Sequence, residues 1–554
     1  MNTSWKQKCA GSRVPVIALA LAAALLSAAV ARVHAAEPLP AKRTIAPGPF
    51  ATTWESLTAG YACPEWFRDA KLGIWAHWGA QCVPGEGDWY ARNMYMQGHR
   101  QYDLHLAKYG HPSEFGFMEI YNLWKPDRWE PEKLIQLFVE AGAKYFVAMA
   151  NHEDNFDAYD SRYHDWNSVR VGPRLDIIGT WAEVARAHGL RFGVSNHSSH
   201  AWHWFQTAYG YDAEGPKAGV RYEAYRLKKE NGVGKWWEGL DPQDLYCTPS
   251  IVIPDGITSM KAARDWHGAN NLPWTEEPPP NDPEFVEEWF FRLQDLIDGY
   301  RPDFLYLDNT ELPLGQAGLD IAAHYYNANM GWNGGTLDAV LTAKGLRKER
   351  RPAVVQDFER SAPPGGIQPL PFETGTCIGQ WHYQDGLEYK TVGQVVRNFV
   401  DVVSKNGTLL LSIPQRGDGS IDEREVAFLK GLAAWMKVNG EGIHGSRPWK
   451  VFGEGPTEVP RGRAGDGVIP FTQEDIRFTS KDGHLYVFVL RVPEAPVVVK
   501  TLGLSSEFAQ PVKSVELVGS AEPVRWRQTD DALVIEKPGA FPSAEVVSFR
   551  LSLE

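Results

Sequence analysis

Polar and ionisable side chains recur where short apolar segments end. The segment from Tyr145 to Ala150 is followed at once by His152, Glu153 and Asp154. The same arrangement closes four other apolar segments, with His77 and Trp78, Asn196 and His197, Asp308, and Asp357 with Glu359. A single strand-end group can simply face solvent, but recurrence over five segments predicts one shared site.

Two carboxylates at such a site could cleave a glycosidic bond. Hydrolysis with retention needs one carboxylate to attack the anomeric carbon, while a second protonates the leaving oxygen and then activates water. Asp308 ends the segment "DFLYLDN" and is the predicted nucleophile, since a short side chain at a strand end holds its oxygens with little freedom. The alternative is an Asp that caps the next turn.

The surrounding pattern predicts a (β/α)8-like TIM barrel of the α/β class. Six apolar segments indicate buried strands: "LGIWAHW", "KYFVAMA", "LRFGVSN", "DFLYLDN", "PAVVQDF" and "GTLLLSI". Amphipathic helical segments such as "PEKLIQLFVEAGA" and "PEFVEEWFFRLQDLIDGY" lie between several of them. Alternation of this kind implies parallel strands, whose carboxyl ends form one face. A doubly wound sheet is the alternative, although no GxGxxG follows the first strand.

The chain divides into a predicted catalytic domain, residues 36–446, and a C-terminal domain, residues 447–554. The later segments are short, β-type and separated by Gly, Pro, Asp and Ser, which predicts an antiparallel β-sandwich. A long insertion at about 198–282 interrupts the catalytic domain. A loop of that length is usually functional or mobile, so it is either a substrate-facing lid or surface decoration.

The first 35 residues have the features of a secretory signal peptide. Basic residues precede the run "VPVIALALAAALLSAAVA", and small residues at Val33 and Ala35 suit cleavage before Ala36. We therefore expect a periplasmic or secreted protein with no membrane contact after cleavage. Removing this segment, which carries four basic and no acidic residues, changes the net charge from −13 to −17 and argues against nucleic acid as a partner. Export permits a disulfide, but the sequence does not pair the four remaining cysteines.

Several long motifs resemble those of the alpha-L-fucosidases of glycoside hydrolase family 29. They are "WFRDAKLGIWAHWGAQCVPGEGDWYARNMY", "AGAKYFVAMANHEDNF", "RPDFLYLDN" and the stretch from "DVVSKNGTLLLSIPQRGDGS" to "GIHGSRPW". They occur in the family's order between about Trp54 and Trp449. The resemblance implies a barrel with a C-terminal β-sandwich and retaining hydrolysis of terminal alpha-L-fucosides on oligosaccharides or glycoconjugates. It implies no metal and no organic cofactor, and it leaves a homo-oligomer open.

The resemblance also implies roles for individual residues. Asp308 matches the nucleophile, and His77 matches a ligand of a fucose hydroxyl. Trp89, preceded by Asp88 where the family usually has Glu, matches a segment that contacts the sugar. His152 matches the first His of the family's His-His-Asp-Gly-Phe. Trp78, Asn196 and His197, beside these positions, complete the predicted substrate-binding set together with Glu153.

Two positions depart from the family pattern. The family's second His is Glu153 here, and its Tyr-Tyr-Ser segment reads Ser195-Asn196-His197. The pocket has thus gained a carboxylate and an imidazole and lost an imidazole and a phenol. A carboxylate can accept two hydrogen bonds from a vicinal diol and repels acidic sugars. The hypothesis is a retaining glycosidase with altered glycone or linkage preference.

The acid/base residue is predicted to be Glu359, which ends the apolar segment after Asp308. Glu373 in "PFETGTCIGQWHY" resembles another family segment and is the first alternative, and an insertion carboxylate such as Glu238 is the second. A salt bridge to Arg351 or Arg360 would give Glu359 a purely structural role. A catalytic acid must hold its proton near neutral pH, which requires burial or a nearby carboxylate.

Two other classes of function stay open at this point. A metal-dependent hydrolase could use His197, His200 and His203 with His152 and Glu153, although their spacing matches no strong zinc motif. A sugar-binding protein without catalytic activity is the other alternative, and the presence of Asp308 argues against it.

Overall fold

A computed structural model describes residues 35–554, apart from residues 248, 250, 276, 361, 364, 461 and 463–465. The predicted signal peptide therefore lies outside the described residues, except for Ala35. In the part of the chain that is described, no helix is long and apolar enough to cross a membrane. Cys63, Cys82, Cys247 and Cys377 are all free thiols.

Eight parallel strands close into a barrel in chain order. They are β1 (Leu72–Ala76), β2 (Tyr145–Asn151), β3 (Arg191–Asn196), β4 (Phe304–Thr310), β5 (Val340–Lys344), β6 (Val355–Asp357), β7 (Phe372–Cys377) and β8 (Gly407–Ser412). Closure comes from β1, which pairs with β8 on one side and β2 on the other. The predicted barrel is confirmed, and the doubly wound alternative is wrong.

Two of the eight strands are absent from the sequence prediction. β5 is short, contains Thr342 and ends on Lys344, so its apolar pattern is weak. β7 carries Glu373, Thr374 and Thr376, yet all six of its residues are buried. Polar residues fit there because the barrel interior supplies partners: the Tyr145 hydroxyl donates to Oε2 of Glu373 at 3.3 Å.

Fifteen α-helices occur in the described residues, most of them outside the barrel strands or in the loops above them. They are α1 (Trp54–Gly60), α2 (Glu65–Ala70), α3 (Tyr90–Asn93), α4 (Arg100–Lys108), α5 (Phe117–Leu123), α6 (Pro131–Glu140), α7 (Ile177–Ala187), α8 (Ala201–Trp204), α9 (Glu223–Arg226), α10 (Pro242–Leu245), α11 (Met260–Ala269), α12 (Pro283–Tyr300), α13 (Gln316–Trp332), α14 (Val392–Ser404) and α15 (Glu423–Asn439). Local signals set the boundaries: Asp282 caps α12 by accepting from the Phe285 amide, and Pro283 occupies its first position.

The insertion after β3 forms short helices rather than a strand layer. It contains α8 to α11 and returns to the barrel at α12. A small core of its own holds part of it together, built from Tyr211, Ala213, Ile253 and Ala263. Its last part carries Trp274 to the mouth of the barrel.

Two antiparallel sheets follow the barrel. Their strands are β9 (Arg447–Glu454), β10 (Ile476–Lys481), β11 (His484–Val489), β12 (Val497–Val499), β13 (Val512–Leu517), β14 (Trp526–Gln528), β15 (Leu533–Ile535) and β16 (Val547–Leu553). The five-stranded sheet has the order β13-β16-β11-β10-β9, the three-stranded sheet β12-β15-β14, and they share one apolar core. Arg477 of β10 binds Asp401 of α14, with Nε 2.6 Å from Oδ1, and so joins this sandwich to the barrel.

Candidate active site

A cavity of about 770 Å³ opens at the carboxyl ends of the barrel strands. Eight of the ten residues predicted from the sequence line it: His77, Asp88, Trp89, His152, Glu153, His197, Asp308 and Glu359. They come from loops or strand ends far apart in the chain, and the barrel is what brings them together. This is the face on which TIM-barrel enzymes place their active sites.

Trp78 and Asn196 do not line the cavity. The Trp78 indole donates to the Arg416 carbonyl at 2.9 Å, and Oδ1 of Asn196 accepts from the Trp289 indole at 3.0 Å. Successive side chains along an extended segment point to opposite sides. His77 and His197 face the cavity, so their neighbours Trp78 and Asn196 face outward and have structural roles.

The pairing register of the barrel strands is irregular next to two of the predicted site residues. The pairing of β4 with β5 shifts between Tyr306 and Thr310, and Asp308 lies inside that irregular stretch. The pairing of β2 with β3 shifts between Met149 and Asn151, just before His152. Bulges of this kind re-aim side chains near active sites. They turn strand-end groups toward the barrel axis.

Asp308 is held by two side chains and is 7% exposed. Nδ1 of His197 lies 2.9 Å from Oδ2, and Nζ of Lys344 lies 2.5 Å from Oδ1. The His200 imidazole reaches the Asp308 backbone carbonyl at 2.9 Å. Oδ2 thus has a hydrogen-bond donor in His197, whereas Oδ1 is held by the ion pair with Lys344.

Chemistry fixes the tautomer of His197. An ionised carboxylate only accepts, so the Nδ1 that faces Oδ2 of Asp308 carries the proton. Nε2 then accepts from the Ser195 hydroxyl at 3.1 Å, and the oxygen of that hydroxyl accepts from the Trp75 indole at 3.2 Å. Burial lowers the pKa of His197 to about 4, so the ring is neutral near pH 7.

Electrostatics keep Asp308 ionised. Burial alone would raise the pKa of its carboxyl, but the Lys344 ammonium and the His197 hydrogen bond outweigh burial and hold that pKa well below the usual value. Burial lowers the pKa of Lys344, but the acidic side chains of Asp308, Glu359 and Asp357 raise it by more, so the net shift is upward. The result is a carboxylate beside an ammonium group, the state a nucleophile needs.

Glu359 shares Lys344 with Asp308. Nζ of Lys344 lies 3.0 Å from Oε2 of Glu359 and 2.5 Å from Oδ1 of Asp308. Oδ1 of Asp308 and Oε2 of Glu359 are therefore at most 5.5 Å apart. Retaining glycosidases place their carboxyl groups about 5–5.5 Å apart, and inverting enzymes about 6.5–9.5 Å apart.

The two alternative acid/base residues lie elsewhere. Glu373 is fully buried within the barrel beside Tyr145 and does not line the cavity. Glu238 of the insertion is exposed, and it is also absent from the lining. Glu359 is the carboxylate of the three that reaches the space above Asp308.

Further imidazoles lie in and beside the cavity. Nδ1 of His382 lies 2.8 Å from Oδ1 of Asp88, and Nδ1 of His77 lies 3.1 Å from the Ser412 hydroxyl. Trp89 has φ +60°, a conformation that costs energy for a side chain of this size and is found at functional sites. Its ring lies 6.0 Å from that of Trp274, so the insertion contributes one side of the cavity mouth.

Sequence reasoning missed four residues of the lining that matter here, Tyr306, Lys344, Trp274 and Trp381, and also His382 beside it. Tyr306 lies two residues before Asp308 in β4. Residues two apart on a strand point to the same side, so its place beside Asp308 could have been predicted. Lys344 follows "AVLTA", a weak apolar segment that gave no strand prediction.

Two groups of the described residues have the composition of a metal site. One is Asp88, His152 and His382, and the other is His152, Glu153 and His197. His200 and His203, which the metal-dependent alternative also requires, belong to neither group. Both ring nitrogens of His197 already have hydrogen-bond partners.

Replacing Lys344 with Met should shift the acidic limb of the pH profile. Without the ammonium group the pKa of Asp308 rises, so the carboxylate is protonated, and activity lost, at higher pH than in the wild type. We expect the acidic limb of kcat/KM to move up by about 1–3 pH units and its maximum to fall about 10²-fold. Profiles between pH 3 and 8 measure both effects.

Lys344→Arg is the matched control, because it keeps the positive charge. Its acidic limb should stay within about half a pH unit of the wild type, on the scale of ordinary pKa differences. An unmoved acidic limb in Lys344→Met would contradict the role assigned to the ammonium group.

Known proteins share both the sequence pattern and the fold. The sequence profile of the family described as alpha-L-fucosidase matches residues 39–441. The chain belongs to the alpha-L-fucosidase family. The resemblance seen in the sequence is thereby confirmed, and the protein is a glycoside hydrolase.

Relatives within the alpha-L-fucosidase family are distant but cover nearly the full length. Tissue alpha-L-fucosidase of Rattus norvegicus is 24% identical over 92% of this chain and 94% of its own. Alpha-L-fucosidase of Branchiostoma floridae is 22% identical over 86% and 89%. The crystal structure of Thermotoga maritima alpha-fucosidase superposes with a TM-score of 0.66, at 24% identity, over 91% of this chain and 100% of that one.

Proposed function

We propose that the protein is a retaining exo-glycosidase that removes terminal alpha-L-fucose, or a closely related sugar, from oligosaccharides or glycoconjugates. The observation that carries the mechanism is the pair Asp308 and Glu359, joined by Lys344 with their oxygens at most 5.5 Å apart. That limit supports retention.

The first step forms a glycosyl-enzyme. Oδ of Asp308 attacks the anomeric carbon while the bond from that carbon to the leaving oxygen breaks. Glu359 gives its proton to the leaving oxygen, so the alcohol departs neutral. Lys344 and His197 hold Asp308 in place for the attack.

The second step hydrolyses the glycosyl-enzyme and regenerates the free enzyme. Glu359, now a carboxylate, takes a proton from a water molecule, and the resulting hydroxide attacks the anomeric carbon. The bond between that carbon and Asp308 breaks, and the sugar leaves with its original configuration. A second inversion at the same carbon is what restores that configuration.

The sugar itself is inferred from the relatives and from the cavity. The relatives are named alpha-L-fucosidases, and one Thermotoga maritima structure is described as a complex with fucose. The cavity matches a small polyol, because imidazoles and carboxyl groups face aromatic rings such as Trp75 and Trp381. Buried polar groups of this kind reject sugars that leave them unpaired.

Hydrolysis of 4-nitrophenyl alpha-L-fucoside by the purified enzyme tests the proposal. Nitrophenol release gives kcat/KM, and proton NMR of the early reaction shows which anomer of fucose forms first. The alpha anomer is expected. The beta anomer would refute retention, and sugar binding without turnover would favour the non-catalytic alternative.

We also propose that the chain is exported and cleaved before Ala36. The Ala36 backbone nitrogen donates to Oδ1 of Asp165 at 2.5 Å. Cleavage at that bond would turn this nitrogen into an ammonium group and the contact into an ion pair. Mass spectrometry of the protein from a periplasmic or culture fraction should find Ala36 as its first residue; an intact leader would contradict the proposal.

A further inference from the structure

Glu153 is a buried acid for which the mechanism above has no use. It lines the cavity two residues after β2, and its exposure is 0%. Among the described residues, neither of its carboxyl oxygens has a hydrogen bond of normal geometry. Buried polar atoms are almost always paired, so an unpaired carboxyl on a cavity wall points to a ligand that pairs it.

The neighbouring imidazole indicates that Glu153 carries a proton. The Ala91 amide lies 3.4 Å from Oε1 of Gln81, which leaves Nε2 of Gln81 facing Nδ1 of His152 at 3.1 Å. An amide nitrogen only donates, so Nδ1 is the unprotonated nitrogen of that ring. Oε2 of Glu153 is in close contact with the same Nδ1. That nitrogen carries a lone pair, which would repel an ionised carboxylate, and it already accepts from Gln81, so the geometry favours a neutral carboxyl whose O–H points to another partner.

Among the described residues that line the cavity, no free Lys or Arg is available to neutralise an ionised Glu153. Of the two basic side chains that line the cavity, Lys344 is paired with Asp308 and Glu359, and Arg100 is paired with Glu86. Burial raises the pKa of Glu153 well above its usual value, and the Asp308 and Asp88 carboxylates raise it further, against the opposing effects of its own backbone amide and of His382. Geometry and charge therefore agree on a neutral acid.

We propose that Glu153 determines glycone specificity as a neutral carboxylic acid that exchanges hydrogen bonds with one hydroxyl group of the bound sugar. The inference rests on the proposed function and assigns a task to the position where this chain departs from the family pattern. A carboxylic acid offers one O–H donor and one carbonyl acceptor, and a sugar hydroxyl can satisfy both. A sugar that lacks this hydroxyl leaves Glu153 unpaired and is rejected.

The test compares Glu153→Gln and Glu153→Met with the wild type. Gln keeps a donor and an acceptor without a charge, whereas Met keeps the volume and removes both. The substrates are 4-nitrophenyl alpha-L-fucoside and its 2-, 3- and 4-deoxy analogues, each of which lacks one hydroxyl. Thermal unfolding of the three proteins checks that they fold alike.

A specific pattern is expected. Glu153→Gln should keep kcat/KM on the fucoside within about fivefold, and Glu153→Met should lose about 30- to 100-fold, the scale of one buried hydrogen bond to substrate. On one deoxy analogue the wild type and Glu153→Met should be equal within about threefold. That analogue identifies the hydroxyl.

Three outcomes would overturn the inference. One is a loss in Glu153→Met that is equal on the fucoside and all three analogues. Another is a Glu153→Gln variant as impaired as Glu153→Met, which would mean that an ionised carboxylate is needed. The third is stoichiometric zinc binding by the wild type, lost in Glu153→Gln, together with activity that requires zinc. A wild type inactive on the fucoside would refute the proposed function instead.

Discussion

Asp308→Gly should leave less than about 10⁻⁴ of the wild-type kcat on 4-nitrophenyl alpha-L-fucoside, the scale of losing a covalent nucleophile. In the proposed mechanism this carboxylate forms the bond to the anomeric carbon. Lys344 and His197 hold no other carboxyl group at that position. Nitrophenol release over hours at high enzyme concentration measures the residual rate.

Azide provides the positive control for this variant. A small anion can enter the space left by the Asp308 side chain and attack the same face of the sugar, which gives beta-L-fucosyl azide. Recovery of about 10- to 10³-fold in rate is expected, as for a nucleophile restored in a pre-built site. More than a tenth of wild-type activity without azide would rule out Asp308 as the nucleophile.

Glu359→Ala should lower kcat/KM by about 10³-fold on a substrate with a poor leaving group, which is the middle of the range for general acid catalysis. From a 2,4-dinitrophenyl glycoside the leaving group departs as the phenolate and needs no proton. The rate of the first step on that substrate should therefore fall only slightly. Comparing the two leaving groups, with product anomers assigned by NMR, isolates the acid role.

Two other variants serve as matched controls for Glu359. Glu238→Gln changes an exposed insertion carboxylate and should leave kcat/KM unchanged. Glu373→Gln changes a group inside the barrel, so its effect should be on thermal stability, with no dependence on the leaving group. A leaving-group dependence that appears in Glu373→Gln and not in Glu359→Ala would reverse the assignment.

The barrel was predictable because its strands are apolar and regularly separated by amphipathic helices. The strands β5 and β7 were not, since Lys344 and Glu373 find their partners only across the closed barrel, and a sequence does not show those partners. Tertiary context overrides local propensity in such segments. For the same reason the sequence did not indicate Lys344 as a site residue, although it contacts both predicted catalytic carboxylates.

Most residues of the candidate site were predictable from the sequence, but the contacts between them were not. Strand-end position identified His77, His197 and Asp308, whereas their neighbours Trp78 and Asn196 turn away because side chains alternate along a strand. The register shifts in β2 and β4 are backbone events that leave no clear mark in the sequence. Trp274 lies at the end of a long insertion, and only the folded chain places it at the cavity mouth beside Trp89.

The position of Lys344 between two carboxyl groups has a consequence for the whole catalytic cycle. In the proposed mechanism the negative charge lies on Asp308 before the attack, and in the glycosyl-enzyme, where Asp308 is a neutral ester, it lies on Glu359. One ammonium group, within 3.0 Å of both, is the counter-ion in each state. The sum of the three charges is zero throughout, so the negative charge moves from one side of a fixed cation to the other, and no ion has to enter or leave a buried cavity between the two half-reactions.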